Sequence, residues 1–232
     1  MLISVGLELN MEGRALAWAL DYPGCFAFGK DGPEALLALP RALVAYEDWA
    51  NRRGGPGWLT LGDFDIRLVD TWTVYSINRQ YELDENGYEV NAWFRHDWKP
   101  LTAQDVERGL ALMSWTREDL LRAVAGLDDS QFDRQRPGER WSIRGVLKHV
   151  ANADWWYLDR LDLAGGTRAD LPEDAFERLR LTRARVMEVL PTLVDCERVV
   201  GKDGEFWSPR KLLRRVLYHE QDHIQHILKL RF

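Results

Sequence analysis

Residues 208–230 read SPRKLLRRVLYHEQDHIQHILKL, and this stretch predicts a long helix with three histidines on its buried face. The opening serine-proline pair is a typical helix start, because the hydroxyl can accept a hydrogen bond from a backbone N–H and proline suits the first turn. Steps of four and three residues align His219, His223 and His226 with leucine and valine. Three imidazoles therefore replace aliphatic side chains on a core-facing stripe, where unpaired polar groups are costly.

Two of these histidines have the spacing of a metal-binding pair. His219 and His223 are separated by about 40° around the helix and about 6 Å along it, so both rings can reach one ion. His226 lies about 10.5 Å along the axis from His219. We expect it to make a hydrogen bond near the pair or to lie at its edge.

A tetrahedral or octahedral ion needs at least a third protein ligand. His149 is the other histidine in the helical half of the chain, and it lies among apolar residues of a second helical pattern. A single histidine on an apolar face is usually a hydrogen-bonded core residue, but satisfying several buried imidazoles without an ion would require as many buried partners. We predict a divalent metal site on His149, His219 and His223.

Residues 219–223 also match HExxH, the motif of zinc proteases in which the glutamate is the general base. In an ideal helix Glu220 points about 100° away from His219. Since no protease-like sheet is expected beside this helix, a metalloprotease is the weaker alternative.

Four helical patterns fill residues 100–232 and predict an all-α four-helix bundle. Their starts are expected at Thr102, at Ser142, near Asp170 and Pro172, and at Ser208. Short connections make neighbouring helices antiparallel. The inward stripe of the first helix is predicted at Val106, Leu110, Met113, Leu120, Val124 and Leu127.

The first part of the chain has a different pattern. Apolar residues alternate with period two and predict strands in residues 2–9, 15–22 and 25–29, with a further strand in 64–77. A helical pattern runs from Pro33 to the glycines at 54 and 55, and Pro40 is predicted to kink or divide it. We predict an α+β domain with its linker in residues 1–99.

Composition excludes several classes of function. The net charge of −6 gives no footprint for a polyanion, so nucleic acid is not an expected partner. No apolar run approaches the roughly 18 residues of a membrane span, and the first residues lack the features of a signal peptide. Two distant cysteines, Cys25 and Cys196, suit a reducing compartment, so we expect a cytoplasmic protein that does not act at a membrane.

Two segments of the helical half resemble the DinB/YfiT-like family of metal-binding four-helix bundles. ERWSIRGVLKHVANADWWYL, residues 139–158, resembles its W-S-x-x-x-x-L-x-H-x-x-x-A-D segment, and RKLLRRVLYHEQDHIQHI, residues 210–227, resembles its closing H-E-x-x-H-x-x-x-I helix. The resemblance implies zinc, nickel or a similar ion on His149, His219 and His223. It also implies, for several members, a thiol-dependent transferase or isomerase activity with a low-molecular-weight thiol, and a possible homodimer. His226 departs from the family, which commonly has a neutral polar residue there.

The segment ALDYPGCFAFGKDGPEALLALPRALVAYEDW, residues 19–49, is similar to the HicB antitoxin-like fold. That resemblance implies a domain that binds a partner or self-associates. Fold likeness alone gives little guidance on function.

Two functions remain open from the sequence. The first is a metal-dependent enzyme, a thiol S-transferase or hydrolase acting on a small molecule, because three neutral histidines leave the ion its full charge to acidify a coordinated water or thiol. The second is a non-catalytic binding or interaction protein with a structural ion. For the enzyme, Glu220, Asp222, Asp154 and Tyr157 are the candidates for orienting the histidines or transferring protons.

Overall fold

The computed structural model describes residues 1–231, which form two compact units. The first unit comprises Met1–Pro100 and Glu197–Arg214, and the second comprises Leu101–Cys196 and the residues from Arg215 onward. The first contains the strands and the second is helical, as the patterns predicted. The sequence-based division had assigned residues 197–214 to the helical half, whereas the structure groups them with the strands.

A four-stranded sheet forms the centre of the first unit. Its strands are β1 (Leu2–Met11), β2 (Arg14–Ala19), β3 (Phe26–Gly29) and β4 (Asp65–Thr73), in the order β3-β2-β1-β4. The first three are antiparallel neighbours, while β4 runs parallel to β1. The three N-terminal strands are therefore confirmed, and the predicted strand in residues 64–77 is interrupted after Thr73.

Helix α1 (Gly32–Gly54) packs against this sheet. Asp31 caps its start, since the carboxylate accepts a hydrogen bond of 2.9 Å from the Glu34 backbone N–H. Pro40 lies inside the helix without dividing it. Its buried face includes Leu39 and Leu43, which are fully covered.

Short two-stranded ribbons complete the first unit. One pairs β5 (Ser76–Ile77) with β6 (Tyr88–Glu89), and the other pairs β7 (Val200–Lys202) with β8 (Glu205–Trp207). The turn Arg95–Trp98 brings His96 within 3.1 Å of Asp21.

The second unit is built from helices α2 (Ala103–Val124), α3 (Asp129–Asp133), α4 (Ile143–Asp159), α5 (Ala175–Val189) and α6 (Pro209–Arg231). The residues of α6 up to Arg214 are grouped with the first unit.

Three of the four predicted helix starts are confirmed. Thr102 and Asp105 form a reciprocal capping box on α2, and the Ser142 hydroxyl accepts from the Gly145 N–H at the start of α4. The Ser208 hydroxyl does the same for Lys211 at the start of α6. The start predicted near Asp170 and Pro172 is a few residues too early, because Asp170 closes a separate short turn with Thr167 and α5 begins at Ala175, capped by Asp174.

The core of the second unit joins α2, α4, α5 and α6 through fully or almost fully buried apolar side chains. Its most deeply buried members are Leu120, Val146, Leu147, Val150, Ala151 and Ile227. Within residues 1–231, no helix has the length and apolar character needed to cross a membrane.

Candidate metal centre

The structure brings the rings of His149, His219 and His223 together in the second unit. The Nε2 atom of His219 lies 3.0 Å from that of His149 on α4 and 3.1 Å from that of His223 one turn further along α6. One nitrogen from each ring lies within 4.8 Å of the other two. Within residues 1–231, this is the only cluster of three or more histidine, cysteine, aspartate or glutamate side chains that could hold an ion.

This spacing fits a divalent ion. At zinc–nitrogen distances of about 2.0–2.1 Å and angles between 90° and 110°, two ligand nitrogens lie about 2.9–3.4 Å apart. The two separations from the His219 Nε2 atom fall within that interval, and the ligand nitrogens of His149 and His223 lie within 4.8 Å of each other. Moreover, the His219 Nε2 atom faces two other nitrogens at once, whereas a single N–H could donate to only one of them.

The environment favours the neutral form of all three rings. Burial, reinforced by the cationic Arg140 and Arg168, lowers the pKa of His149 to about 4. Burial also lowers the pKa of His223 to about 3 and holds that of His219 well below its ordinary value. Neutral imidazoles keep the lone pair that a metal ligand needs.

Aromatic packing covers one side of the cluster. The indole of Trp141 stacks on the His149 ring, with 4.3 Å between ring centroids and 23° between planes. The same indole approaches the His223 ring edge-on at 6.5 Å. His149 itself remains partly exposed.

His226 is not part of the cluster. Its Nε2 atom lies 2.9 Å from the Glu139 carboxylate, so the expected hydrogen bond near the site is confirmed. His96 belongs to the first unit, where it pairs with Asp21.

Two of the four residues predicted to orient the histidines or transfer protons bind arginines instead. Glu220 accepts from Thr116 and Arg117 at 2.6 Å each and pairs with Arg183 at 2.9 Å. Asp154 accepts from the same Arg183 at 2.9 Å. Among residues 1–231, no histidine is a hydrogen-bond partner of either carboxylate, so direct orientation of an imidazole by them is not part of the structure.

Burial gives this cluster of charges its electrostatic character. Asp154 and Glu220 are 2% and 1% exposed. Burial raises the pKa of Asp154 despite the neighbouring guanidinium groups. For Glu220 the opposite effect prevails: burial acts to raise its pKa, but Arg183 and Arg117 hold it below the ordinary value.

The other two candidates, Tyr157 and Asp222, are neighbours of the histidines, the first in space and the second in sequence. Tyr157 is buried, and its ring meets that of His219 edge-on at 6.0 Å. Asp222 is partly exposed on α6, next to His223 in sequence. Their roles in proton transfer stay predictions.

Sequence reasoning missed the arginines, although both left a signal. The inward stripe of α2 has a gap between Met113 and Leu120, and Arg117 fills it at helical spacing. In α5, Arg183 lies between the buried Leu179 and Val186 in the same way. An arginine on a core-facing stripe predicts a buried carboxylate partner.

A separate cavity of about 460 Å³ lies between α4, α5 and the loop that joins them. Its apolar wall is formed by Trp155, Leu158, Leu171 and Leu181. Its lining includes none of the three clustered histidines.

Fold and site together define a helical domain with a three-imidazole cluster suited to a divalent ion. The DinB superfamily matches residues 112–227, which is half of the sequence, and the chain belongs to that superfamily. Among solved structures, the chain is similar to YfiT from Bacillus subtilis, described as a probable metal-dependent hydrolase with an unusual four-helix bundle topology. The two are 20% identical, the match covers 62% of this chain and 93% of that one, and the TM-score is 0.46. No curated protein matches the chain in sequence.

Proposed function

We propose that this protein binds one divalent metal ion, zinc or nickel, on His149, His219 and His223 and uses it as an enzyme acting on a small molecule. The reaction is of the thiol S-transferase or hydrolase type, with a low-molecular-weight thiol as the possible second substrate. The observation that carries the proposal is the convergence of three Nε2 atoms at separations of 3.0 and 3.1 Å.

When bound, a divalent ion supplies a positive charge that acidifies a coordinated water or thiol. The residues of the chain have three tasks around it. The histidines hold the ion without adding negative charge, and Trp141 shields one side of the cluster from water. The partial exposure of His149 leaves a side from which a small molecule can approach.

The buried charges support this arrangement indirectly. Glu220 follows His219 on α6, and its hydrogen bonds to α2 and ion pair with α5 fix the rotation of that helix about its axis. This gives Glu220 a structural role rather than that of a protease general base. Tyr157 and Asp222 are proposed to assist proton transfer at the site.

A structural ion is the competing function. The burial of His223, which is 8% exposed, favours that alternative, because structural sites are closed and catalytic sites keep an open position. The visible absorption spectrum of the cobalt-substituted protein separates the two functions, because it reports whether water or a thiol binds to the ion.

For the first unit we propose a HicB-like accessory or assembly domain. The proposal is supported by β3 and by the greater part of α1, which lie in the segment 19–49 that carries the resemblance. We further propose that the protein is a cytoplasmic homodimer that acts on neither nucleic acid nor membrane. Light scattering of the purified chain tests the homodimer.

Elemental analysis of the purified protein tests the metal site. We expect a single equivalent of metal in the wild type, a loss in His149→Ala and His223→Ala, and retention in the matched control His96→Ala, whose ring lies in the first unit. Substoichiometric metal in the wild type, unaffected by the two substitutions, would end the proposal.

A further inference from the structure

The segment 134–141, here called the covering loop, is fastened to α6 beside the histidine cluster. The Arg136 guanidinium donates to the Leu230 carbonyl at 3.1 Å, and Glu139 pairs with His226 at 2.9 Å. The loop ends at Trp141, which stacks on His149. It therefore connects the outer end of α6 to the ring of a proposed ligand on α4.

The stack of Trp141 on His149 takes the place of a contact that metal-binding histidines usually have and that His149 lacks. Such a ring is commonly oriented by a hydrogen bond from its second nitrogen to a carboxylate or carbonyl. Within residues 1–231, the His219 ring is the only hydrogen-bond partner of His149. The face of Trp141, 4.3 Å away and nearly parallel, is thus the contact that restricts rotation of the His149 ring.

Local packing keeps Trp141 in this position. A Cβ atom at Gly145, one turn into α4, would lie only 3.0 Å from the Cβ of Trp141. The glycine therefore permits the close approach of the indole to α4. The Arg140 guanidinium lies 4.5 Å above the same indole and extends the stack outward.

His226 takes part in this arrangement without joining the cluster. It is on the same helix as His219 and His223, and its ring lies 5.9 Å from that of His223. Its Nε2 atom is hydrogen-bonded to the Glu139 carboxylate. A neutral imidazole that carries its proton on Nε2 can donate this hydrogen bond, and so can the charged form.

We infer that His226 is a positioning residue: with Glu139 it fastens the covering loop so that Trp141 holds the His149 ring with its Nε2 atom aimed at the cluster. This inference rests on the proposed metal site. It assigns His226 to the support of a ligand rather than to the ligand set.

The first test needs no metal. In NMR spectra of the metal-free protein, we expect the ring current of Trp141 to shift the resonances of the His149 ring protons upfield. The Trp141→Leu variant, which has no indole at this position, gives the resonance positions without that shift. We expect His226→Leu to move these resonances toward the Trp141→Leu position, while His226→Gln, whose amide can donate to Glu139, leaves them near the wild type. Unchanged His149 resonances in His226→Leu would overturn the inference.

The second test measures zinc affinity and the visible spectrum of the cobalt-substituted protein. We expect His226→Leu and Glu139→Ala each to weaken zinc binding about tenfold, as for other residues that orient ligands, and to alter the cobalt spectrum. His226→Gln should restore both, and Gln225→Leu, on the exposed face of α6, should change neither.

The double variant Glu139→Ala/His226→Leu should lose no more affinity than either single variant, because both break one contact. Additive losses would show that the two residues act separately. If the wild type binds neither zinc nor nickel, the proposed function fails, while the resonance test still decides whether His226 positions the covering loop. If the wild type binds zinc and His226→Leu binds it equally, the inference alone fails.

Discussion

Replacing Glu220 by alanine should destabilise the second unit strongly. The side chain is almost fully buried. Its two oxygens accept hydrogen bonds from Thr116 and Arg117 and form an ion pair with Arg183. Removing it leaves the guanidinium charges of the buried Arg183 and the partly buried Arg117 facing one remaining carboxylate, that of Asp154. Breaking a buried ion pair from one side costs about 3–5 kcal/mol, because the surviving charge is left uncompensated.

For a chain of this length, 1 kcal/mol corresponds to about 2–4 °C in the unfolding midpoint, so the expected decrease for Glu220→Ala is roughly 6–20 °C. The measurement is thermal unfolding followed by circular dichroism. The matched control is Glu107→Ala on the exposed face of α2, which should change stability by no more than about 0.5 kcal/mol.

A double variant tests the reasoning behind this magnitude. If the cost comes from unpaired charge, adding Arg117→Ala to Glu220→Ala should cost less than the sum of the two single losses, by about 0.5–3 kcal/mol. A Glu220→Ala protein that unfolds at the wild-type midpoint would refute the assignment of Glu220 to a structural ion network.

Three further predictions concern other parts of the chain. Burial raises the pKa of the Cys25 thiol well above its ordinary value, so a thiol reagent should modify the partly exposed Cys196 quickly and Cys25 only on unfolding; equal rates would contradict this. The hydrogen bond to His96 holds the pKa of Asp21 below its ordinary 3.8, so Asp21→Asn should cost up to about 1 kcal/mol near neutral pH. Because a depressed carboxyl pKa stabilises the fold only while the group is ionised, that difference should disappear as the pH falls below 3.8, and a constant difference would exclude this cause. Zinc at about 100 times its Kd should stabilise the wild type by about 2.7 kcal/mol, reversibly with a chelator, whereas an equal gain in His223→Ala would point to another site.

The sequence by itself determined where the N-terminal strands and most of the long helices begin. Period-two alternation predicted the three N-terminal strands, and the caps at Thr102, Ser142 and Ser208 predicted three helix starts, because these signals act over a few residues. The spacing of His219 and His223 also follows from one helix alone. That is why these features could be predicted without tertiary contacts.

Local signals failed where a competing short-range structure or a distant partner decided the outcome. The acidic residue at 170 caps its own short turn rather than α5, so the helix begins at Ala175. The sequence pattern also could not show that residues 197–214 belong to the first unit, because that grouping depends on contacts with residues more than a hundred positions away.

The tertiary structure decided the composition of the site. Periodicity shows that Glu220 and Asp154 lie near buried faces, but only the packing of α2 and α5 shows that Arg117 and Arg183 occupy their oxygens. It likewise brings His149 within 3.0 Å of His219, a separation set by the rotation and depth of two helices. The physical reason is that helical period fixes direction within one element, whereas partners across elements are chosen by how complete side chains fill the space between them.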